Sequence, residues 1–433
     1  MTPSPHLHEL TTRLAARRAT LAVLGLGYVG LNLAAAAARA GFRVLGLDTD
    51  AARVAALRRG ELPAGELDPA RLRELLAGGR FEATGDAARL ADADVFLLCV
   101  PTPLGADRRP DLAPVIAAAR MVGGALRPGA LVVLESTVFP GATRQVLGPE
   151  LLAAARARGL SLTPGADLFV AHAPERVDPG RADPPPERIP RLVGGLDEAS
   201  TDAAAALYAP LVERVVRCSS AEVAEAAKVF ENVFRAVNIA LVNELEMILA
   251  PLDVPVQEVL DAAATKPFGF MAFRPGAGAG GHCVPAAPGQ LLEAARRAGV
   301  RAVLIEAASE INRRKPEWIV QRTRQALAAR RAEQGRPVAR GEDALCGARV
   351  LVVGLAYKPG VADTRESPGL ALLALLAAAG ADVCYHDPLV PRVPEARPAE
   401  VPELESVPLD GSTLSEVEAV IVATRLPDGT PGV

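Results

Sequence analysis

The chain has 433 residues, a formal net charge of −4 at pH 7 and 3% aromatic residues. This length exceeds what one hydrophobic core usually fills, so we expect two or three domains. The weak acidity and the few aromatic side chains provide neither a basic surface nor a stacking platform. The composition therefore argues against nucleic-acid binding.

The cysteines and the N-terminus indicate a cytoplasmic protein. Five scattered cysteines form no CxxC pair and no disulfide framework, which fits a reducing compartment, and no residue is predicted to bind a metal. The N-terminal HLHELTTRLAARRA mixes acids, bases and histidines and lacks the apolar run of a signal peptide. Residues 21–47 are apolar, but Arg39 and Arg43 interrupt them, so we expect no membrane partner.

The first motif in chain order is LAVLGLGYVG at residues 21–30. It is a short apolar strand that runs into GxGxxG, with glycines at 25, 27 and 30. The first glycine permits a tight turn, the second lets a pyrophosphate approach the backbone, and the third lets helix and strand pack closely. The pattern predicts a dinucleotide site, and the alternative is a glycine-rich turn without a ligand.

The following residues complete a strand, helix, strand unit. A helix is predicted at 31–40, and a second strand, FRVLGLDTD, ends in Asp48, 18 residues after Gly30. An acid at this place accepts hydrogen bonds from a ribose 2′-OH and repels a 2′-phosphate, so NAD is favoured over NADP. Strands at 94–103 and 130–137 both end in hydroxyl residues, where open α/β sheets bind ligands.

A second unit of the same kind lies near the C-terminus. A strand and turn at 348–360, a helix at 369–379 and a strand at 381–388 ending in Asp387 repeat the order. The turn lacks GxGxxG, so we expect a mononucleotide rather than a dinucleotide. Lys358 and Arg365 supply cations for phosphates or a base, and the alternative for both is a solvated surface charge.

Residues 219–250 lie between the two nucleotide folds and contain no Gly or Pro. Ser219 and Glu222 have the spacing of a capping box, which predicts the start of one long helix. Polar side chains within it fall on one stripe about 10 Å long, formed by Lys228, Asn232 and Arg235. A stripe of this kind is either the solvent face or the wall of a site.

A glycine-rich loop precedes Cys283, with glycines at 276, 278, 280 and 281. Such glycines allow positive φ angles and leave N–H groups uncovered, so the loop is suited to hold a phosphate-bearing substrate. Cys283 is flanked by Gly and Pro rather than by a helix or strand pattern, which favours a displayed nucleophile. The alternative is a buried structural cysteine.

A cysteine combined with an NAD fold suggests oxidation at the aldehyde level. The thiolate adds to an aldehyde, a hydride leaves to NAD, and water releases the acid from a thioester. This chemistry needs a donor for the oxyanion, for which Lys228 and Asn232 are candidates. It also needs an acid to position the water, and Glu175, after a strand at 168–173, is a candidate.

Eight ordered motifs resemble the UDP-sugar 6-dehydrogenases of the UDP-glucose/GDP-mannose dehydrogenase family across nearly the whole chain. They are GLGYVG, VPTPL, LEST with FPGAT, APERVDPG, AKVFENVFRAVNIALVNE, TKPFGFM, GGHCVP and GLAYKPGVADTRESP. The resemblance implies two successive NAD-dependent oxidations of a sugar CH2OH to a carboxylate. TKPFGFM and APERVDPG look most like the UDP-N-acetylglucosamine branch. The UDP-N-acetylmannosamine and UDP-glucose branches are similar but have different residues in these two motifs.

The resemblance also implies an architecture. The predicted fold class is α/β, with two Rossmann-like doubly wound parallel-sheet domains joined by a central helical region with a long helix. The domains are an NAD-binding Rossmann domain at 1–199, a central helical dimerisation and catalytic-loop region at 200–318, and a UDP-binding Rossmann-like domain at 319–433. A homodimer with a UDP-sugar substrate is expected.

The family's functional residues carry over by position. Cys283 falls on the thioester nucleophile, and Lys228 and Asn232 on the oxyanion side. Glu175 falls on the water-activating acid, and Thr137 on the hydroxyl that orients this water. The positions matching cofactor contacts are Gly25, Gly27, Gly30, Asp48, Arg53, Thr102 and Thr137. Those matching substrate contacts are Lys228, Asn232, Arg235, Gly276, Gly278, Gly280, Lys358 and Arg365.

Two departures from the family pattern raise alternatives. The family normally has an aspartate four residues after the cysteine, where this chain has Ala287, and the chain ends soon after AVIVAT, where relatives usually continue. Loss of general-base help typically costs about 10² to 10⁴ in rate. The preferred hypothesis is an active enzyme that makes a UDP-hexosaminuronate for a polysaccharide or glycoside. The alternatives are a catalytically impaired nucleotide-sugar-binding homologue, a dehydrogenase that stops at the aldehyde, and an enzyme acting on UDP-glucose or UDP-N-acetylmannosamine.

Overall fold

The computed structural model describes residues 4–61, 67, 69–105, 107–178, 183–281, 283–395 and 397–426, with only the backbone of residues 69 and 283. The chain forms two compact units. The first contains residues 1–231 and 289–300, and the second contains residues 232–288 and 301–433. The three-way division at 199 and 318 stays a prediction.

The first unit is built around a sheet of eight strands within the described residues. The strand order is β3-β2-β1-β4-β5-β6-β7-β8, parallel throughout except for β6 against β7. The strands are β1 (Thr20–Leu24), β2 (Arg43–Leu47), β3 (Phe81–Thr84), β4 (Val95–Leu98), β5 (Ala130–Leu134), β6 (Leu168–His172), β7 (Arg191–Gly195) and β8 (Val215–Arg217). The helices are α1 (Pro5–Ala15), α2 (Tyr28–Arg39), α3 (Ala51–Arg58), α4 (Pro69–Ala77), α5 (Ala113–Gly123), α6 (Gly148–Ala157) and α7 (Glu198–Tyr208).

The central strands are continuous apolar runs because both faces of the sheet are covered. Successive side chains of β1 point to opposite faces. Leu21 and Val23 join the hydrophobic cluster on one face, and Ala22 and Leu24 join the cluster on the other. The predicted strand, helix, strand unit with a parallel sheet is therefore confirmed at the front of the chain.

Two long helices contribute residues to both units. They are α8 (Ala221–Leu249) and α10 (Cys283–Arg297), with α9 (Val256–Ala264) between them. The long helix predicted at 219–250 is confirmed, but the capping box at Ser219 is wrong by one residue. The Ser220 hydroxyl accepts the bond from the Val223 backbone N–H, because the helix begins at Ala221.

The second unit contains a parallel sheet of three strands in the part of the chain that the structure describes, in the order β10-β9-β11. The elements are α11 (Val303–Glu333), β9 (Arg349–Val353), α12 (Pro368–Ala378), β10 (Asp382–His386), α13 (Gly411–Glu416) and β11 (Ala419–Val422). The second strand, helix, strand unit is thus confirmed. Among the described residues, no helix is long and apolar enough to pass through a membrane.

The glycines of the first turn have different physical roles. Gly25 has φ +88°, and a Cβ at Gly30 would lie 1.9 Å from the carbonyl oxygen of Gly25. A Cβ at Gly27 would meet no atom within 4 Å. Gly30 therefore lets α2 pack on the turn after β1, whereas Gly27 faces open space.

This contrast predicts different effects of one added methyl group. We expect Gly30→Ala to lower the free energy of unfolding by about 3 kcal/mol or more, because the methyl group overlaps backbone. Gly27→Ala is the matched control, and we expect a change within about 0.5 kcal/mol. The midpoint of urea unfolding measures both, and a Gly30→Ala variant as stable as the parent would refute the packing role.

Candidate active site

The functional side chains of the first unit lie on loops at one edge of the sheet. β1, β2, β4, β5 and β6 are parallel, so the loops that follow them all leave from the carboxyl edge. These loops carry Gly27, Asp48, Thr102, Thr137 and Glu175, respectively. Ligands bind at this edge in open α/β sheets, so the topology collects the predicted cofactor residues where a dinucleotide binds.

Asp48 shapes the glycine turn. One of its carboxylate oxygens accepts from the Leu26 backbone N–H at 2.8 Å, and the other accepts from the Asp50 N–H at 2.9 Å. Arg53 donates to the Leu26 carbonyl at 3.0 Å. The turn is therefore held from both sides, while the space in front of Gly27 stays clear at the beginning of α2. This cradle fits a pyrophosphate on a helix N-terminus with Asp48 near a ribose.

The loops after β4 and β5 are joined by hydroxyl groups. The buried Thr102 donates to the Thr137 carbonyl at 2.7 Å. Ser136 donates to the Val100 carbonyl at 2.6 Å. These bonds fix the backbone around Thr137, which carries the hydroxyl predicted to orient water.

Glu175 is held on both carboxylate oxygens. Oε1 accepts from the backbone N–H groups of Arg176 at 2.7 Å and Val177 at 2.8 Å. Oε2 accepts from Nη1 of Arg191 at 2.7 Å. Burial raises the pKa of Glu175, and the positive charge of Lys228 on α8 opposes this rise. The structure thus places two of the predicted residues, Glu175 and Lys228, near enough for their charges to interact.

The charged cluster behind Glu175 was not predicted from the sequence. Arg191 at the start of β7 also donates to Glu135, and the Tyr208 hydroxyl donates to the same carboxylate. Burial raises the pKa of the nearby Cys99 thiol to about 12, so this thiol is neutral and a poor nucleophile. The one available sequence signal was a glutamate directly after the apolar strand ALVVL.

Glu225 joins α8 to the loop that follows Thr137. Its carboxylate accepts from the Gly141 N–H at 2.5 Å, from the Thr143 N–H at 2.8 Å and from the Thr143 hydroxyl at 2.6 Å. Glu225 is 1% exposed, and burial raises its pKa to about 7. Because it lies one turn before Lys228, this contact anchors the turn of α8 that carries the lysine.

The remaining residues of the polar stripe differ in burial. Lys228 and Asn232 are buried, whereas Arg235 is exposed. Among the residues described, nothing hydrogen-bonds to Nδ2 of Asn232. A buried, unpartnered amide is costly in a finished core. The solvent-face alternative therefore does not hold for Lys228 and Asn232, and the burial favours the wall of a site.

In the second unit, the glycine-rich loop packs against the turn after β9. A Cβ at Gly280 would lie 2.8 Å from both Pro368 and Tyr357, and one at Gly281 would lie 2.7 Å from the Tyr357 ring. The Gly281 N–H donates to the Arg365 carbonyl at 3.0 Å. Close backbone packing explains these glycines, while phosphate binding by Gly276, Gly278 and Gly280 stays a prediction.

Buried amides fix the start of this loop. The Gly276 N–H donates to the Asn243 side chain at 3.0 Å, and Asn243 donates to Asn312 at 3.0 Å. Asn312 in turn donates to the Ala236 carbonyl at 2.9 Å. The chain of bonds ties the loop to α8 and α11.

The predicted nucleotide residues of the second unit surround a similar turn. Asp387, at the end of β10, accepts from the Leu355 and Ala356 N–H groups at 2.7 and 2.9 Å. Arg365 is exposed and forms an ion pair with Asp363, and Lys358 lies in the same turn, half-buried. Asp387 thus supports the turn as Asp48 does in the first unit.

Cys283 is the first residue of α10, which differs from the loop position expected from its Gly and Pro neighbours. Pro285 falls in the first turn of this helix, where proline is tolerated because its missing N–H would be unpaired anyway. The Cys283 side chain lies outside the described residues.

Models of one known protein family match three parts of this chain. Residues 19–212 match the NAD-binding domain of the UDP-glucose/GDP-mannose dehydrogenase family, residues 222–314 match its central domain, and residues 351–428 match its UDP-binding domain. The chain belongs to this family. It is an NAD-dependent UDP-sugar dehydrogenase.

Curated relatives act on different sugars. A UDP-N-acetyl-D-mannosamine dehydrogenase of Pyrococcus horikoshii is 36% identical over 86% of this chain and 84% of its own. A UDP-N-acetyl-D-glucosamine 6-dehydrogenase of Pseudomonas aeruginosa is 34% identical over 86% of this chain and 83% of its own. The relatives that this chain is similar to thus differ in the sugar that their names give.

Solved structures are similar to this chain over most of its length. The structure of the UDP-D-ManNAc dehydrogenase from Pyrococcus horikoshii has a TM-score of 0.80 and 33% identity, and it covers 94% of this chain and 90% of its own. A UDP-glucose dehydrogenase from Pyrobaculum islandicum has a TM-score of 0.78 and 30% identity with the same coverage.

The Glu225 contact gives a stability prediction. Glu225→Ala leaves three buried donors without their acceptor, so we expect a loss of about 2 to 4 kcal/mol in the free energy of unfolding. Because the folded carboxyl keeps its proton from the ordinary value of 4.5 up to about 7, wild-type stability falls across this pH window. The loss caused by Glu225→Ala is therefore larger at pH 5 than at pH 8.

Glu222→Ala is the control, since Glu222 lies one turn earlier on α8 and pairs with the exposed Arg144. We expect this control to cost less than about 1 kcal/mol. Urea unfolding of both variants at the two pH values measures the effects. Equal losses for both glutamates would contradict the anchoring role.

Proposed function

We propose that the enzyme oxidises the C6 alcohol of a UDP-N-acetylhexosamine to the carboxylate, with UDP-N-acetylglucosamine as the favoured substrate. The observation that carries this proposal is the pair of Lys228 and Glu175 at the carboxyl edge of the NAD-binding sheet. A buried lysine whose charge acts on a partly exposed carboxylate supplies what the second half of the reaction needs, a cation for an oxyanion and a base for water.

In this proposal each residue has one chemical role. The Cys283 sulfur adds to the C6 aldehyde and becomes the thioester after the second oxidation. Lys228 and Asn232 stabilise the negative charge on the C6 oxygen. Glu175 takes a proton from water as the water oxygen bonds to the thioester carbon. The carbon–sulfur bond then breaks, which releases the carboxylate and restores Cys283.

NAD, when bound, accepts a hydride in each of the two oxidations, and each oxidation also releases a proton. Gly25, Gly27, Gly30, Asp48, Arg53, Thr102 and Thr137 are the residues proposed to hold it. The position of Cys283 at the first residue of α10 supports the nucleophile role, because a helix N-terminus favours negative charge.

The UDP part of the substrate is proposed to bind to residues of the second unit. Lys358 and Arg365 are proposed to hold the diphosphate and uridine, together with Arg235, Gly276, Gly278 and Gly280. The preference for UDP-N-acetylglucosamine rests on the resemblance of TKPFGFM and APERVDPG to this branch, and on the Pseudomonas relative that acts on this sugar. Cytoplasmic location follows from the same proposal, since nucleotide sugars and NAD are cytoplasmic metabolites.

A substrate panel tests the activity. Purified protein is incubated with NAD and, separately, UDP-N-acetylglucosamine, UDP-N-acetylmannosamine and UDP-glucose, and NADH is followed by absorbance. We expect about two NADH per sugar, fastest with UDP-N-acetylglucosamine. Cys283→Ser is expected to abolish acid formation. Absence of NADH with every sugar would refute the proposal, and one NADH per sugar would identify an enzyme that stops at the aldehyde.

Ala287 favours a second candidate function, an impaired nucleotide-sugar-binding protein. Ala287 is fully buried in α10, four residues after Cys283 and so on the same helix face. We expect Ala287→Asp to raise turnover of such a protein, because the carboxylate restores general-base help worth about 10² or more in rate. Ala286→Asp adds the same charge at the neighbouring, half-buried position and is the control. Binding of NAD and UDP-sugar by calorimetry, without turnover before the substitution, would support this candidate.

We also propose that two copies of the chain pair through α8. Within the second unit, Phe234, Leu241 and Ile248 are exposed by 42%, 60% and 56% and repeat every seven residues, so they form one apolar stripe. A stripe of this kind normally marks an interface between proteins. If two chains pack their α8 helices against each other around a two-fold axis, the apolar stripe of each chain is buried.

Sedimentation measures this assembly. We expect the parent chain to sediment as a dimer and the double variant Leu241→Asp, Ile248→Asp as a monomer, because two buried carboxylates per chain would lack partners. Gln325→Asp adds one carboxylate at an exposed position of α11, and we expect this control variant to stay dimeric. A dimeric double variant would place the interface elsewhere.

A further inference from the structure

The cluster behind Glu175 consists of one buried guanidinium between two carboxylates. The Arg191 side chain is 7% exposed, that of Glu135 is fully buried, and that of Glu175 is 20% exposed. Nη2 of Arg191 donates to Glu135, and Nη1 donates to Oε2 of Glu175 at 2.7 Å. Glu175 is the member of the three that reaches solvent, so the cluster ends at the proposed site.

The inner part of the cluster has no solvent access of its own. The Tyr208 hydroxyl donates to the second oxygen of Glu135, and its ring lies under the guanidinium with 4.9 Å between the Arg191 carbon and the ring centroid. Buried charges persist only when they are paired and hydrogen-bonded. Glu135 and Tyr208 therefore lock the position of Arg191, and through it the position of Oε2.

The hydrogen bonds also distinguish the two oxygens of Glu175. A carboxylate oxygen accepts about two hydrogen bonds. Among the described residues, Oε1 accepts two hydrogen bonds, from the Arg176 and Val177 N–H groups, whereas Oε2 accepts one, from Arg191. Oε2 thus keeps the lone pair that is available for an incoming proton.

We propose that Arg191, locked by Glu135 and Tyr208, is a positioning residue that makes Oε2 of Glu175 the atom that takes the proton of the hydrolytic water. This inference rests on the proposed function and deepens it. The water proton goes to Oε2, the water oxygen bonds to the thioester carbon, and the sulfur of Cys283 leaves. No other reactant is needed for this step.

The charges around Glu175 make opposite predictions for two variants. Among the described residues, the charged groups that act on it include Arg191, Arg176 and Lys228, with Glu135 behind Arg191. The Cys99 thiol and the Tyr208 hydroxyl also interact with Glu175, but burial raises the pKa of both, so they stay neutral. Arg191→Met removes a contacting positive charge, which raises the pKa of Glu175. Glu135→Gln removes a negative charge and leaves Arg191 to Glu175 alone, which lowers this pKa.

A single-turnover experiment measures the step directly. Enzyme in excess is mixed with UDP-N-acetylglucosamine and NAD, quenched with acid at set times and several pH values, and the sugar bound to Cys283 is followed by intact-protein mass. We expect the adduct to decay about 100-fold more slowly in Arg191→Met, because the base is misplaced. The acidic limb of the decay rate should move to higher pH in Arg191→Met and to lower pH, by about one unit, in Glu135→Gln.

Arg188→Met is the matched control, since Arg188 pairs with Glu213 on the surface of the same unit and both are more than 60% exposed. We expect the adduct on Cys283 to decay in this control at the wild-type rate. The positioning role would be overturned if Arg191→Met and Glu135→Gln both had wild-type decay rates and pH profiles. It would also be overturned if the acidic limb moved in the same direction in both variants. Should Arg191→Met fail to fold, Glu135→Gln, whose amide keeps the shape of the side chain, decides by the direction of its shift. A wild-type enzyme that forms neither adduct nor NADH would instead refute the proposed function.

Discussion

The parallel pairing of β1, β2, β4, β5 and β6 is the constraint on which the catalytic part of the structure depends. Parallel strands deliver all of their following loops to one edge, so residues far apart in the chain meet there without any further device. Side-chain hydrogen bonds from hydroxyl groups, Asp48 and Arg191 connect these loops to one another. These few polar connections convert a shared edge into a defined site.

Buried charge is used for positioning in three places. Glu225 accepts three hydrogen bonds from the loop after β5, Arg191 divides its guanidinium between Glu135 and Glu175, and the carboxylate of Asp387 supports the turn after β9. In each case a carboxylate accepts hydrogen bonds from backbone N–H groups or from a cation that is largely buried. Removing one partner leaves the other buried with fewer hydrogen bonds, which costs free energy of folding, so these contacts hold the loops in one position.

Much of the fold could be predicted from the sequence because its signals are local. GLGYVG with Asp48 identified the first turn, and strand and helix boundaries mostly fell within about two residues of those observed, which is normal for such signals. The Arg191 and Glu135 pair could not be predicted, since its members are separated by 56 residues and a glutamate after an apolar strand does not indicate which arginine pairs with it. The start of α10 at Cys283 was also missed, because Gly and Pro before and after a cysteine indicate a loop more often than a helix.

The pairing of Glu135 with Arg191 has an evolutionary consequence. Loss of Arg191 alone leaves Glu135 in the interior without a cation, and loss of Glu135 alone leaves Arg191 with Glu175 as its one carboxylate partner among the described residues. A concerted exchange for apolar groups of similar volume is better tolerated by the core. The two positions are therefore coupled, and their free-energy effects are not additive. We expect homologous dehydrogenases to keep both residues or to have replaced both. A homologue without them would need a different contact to position the carboxylate that activates water.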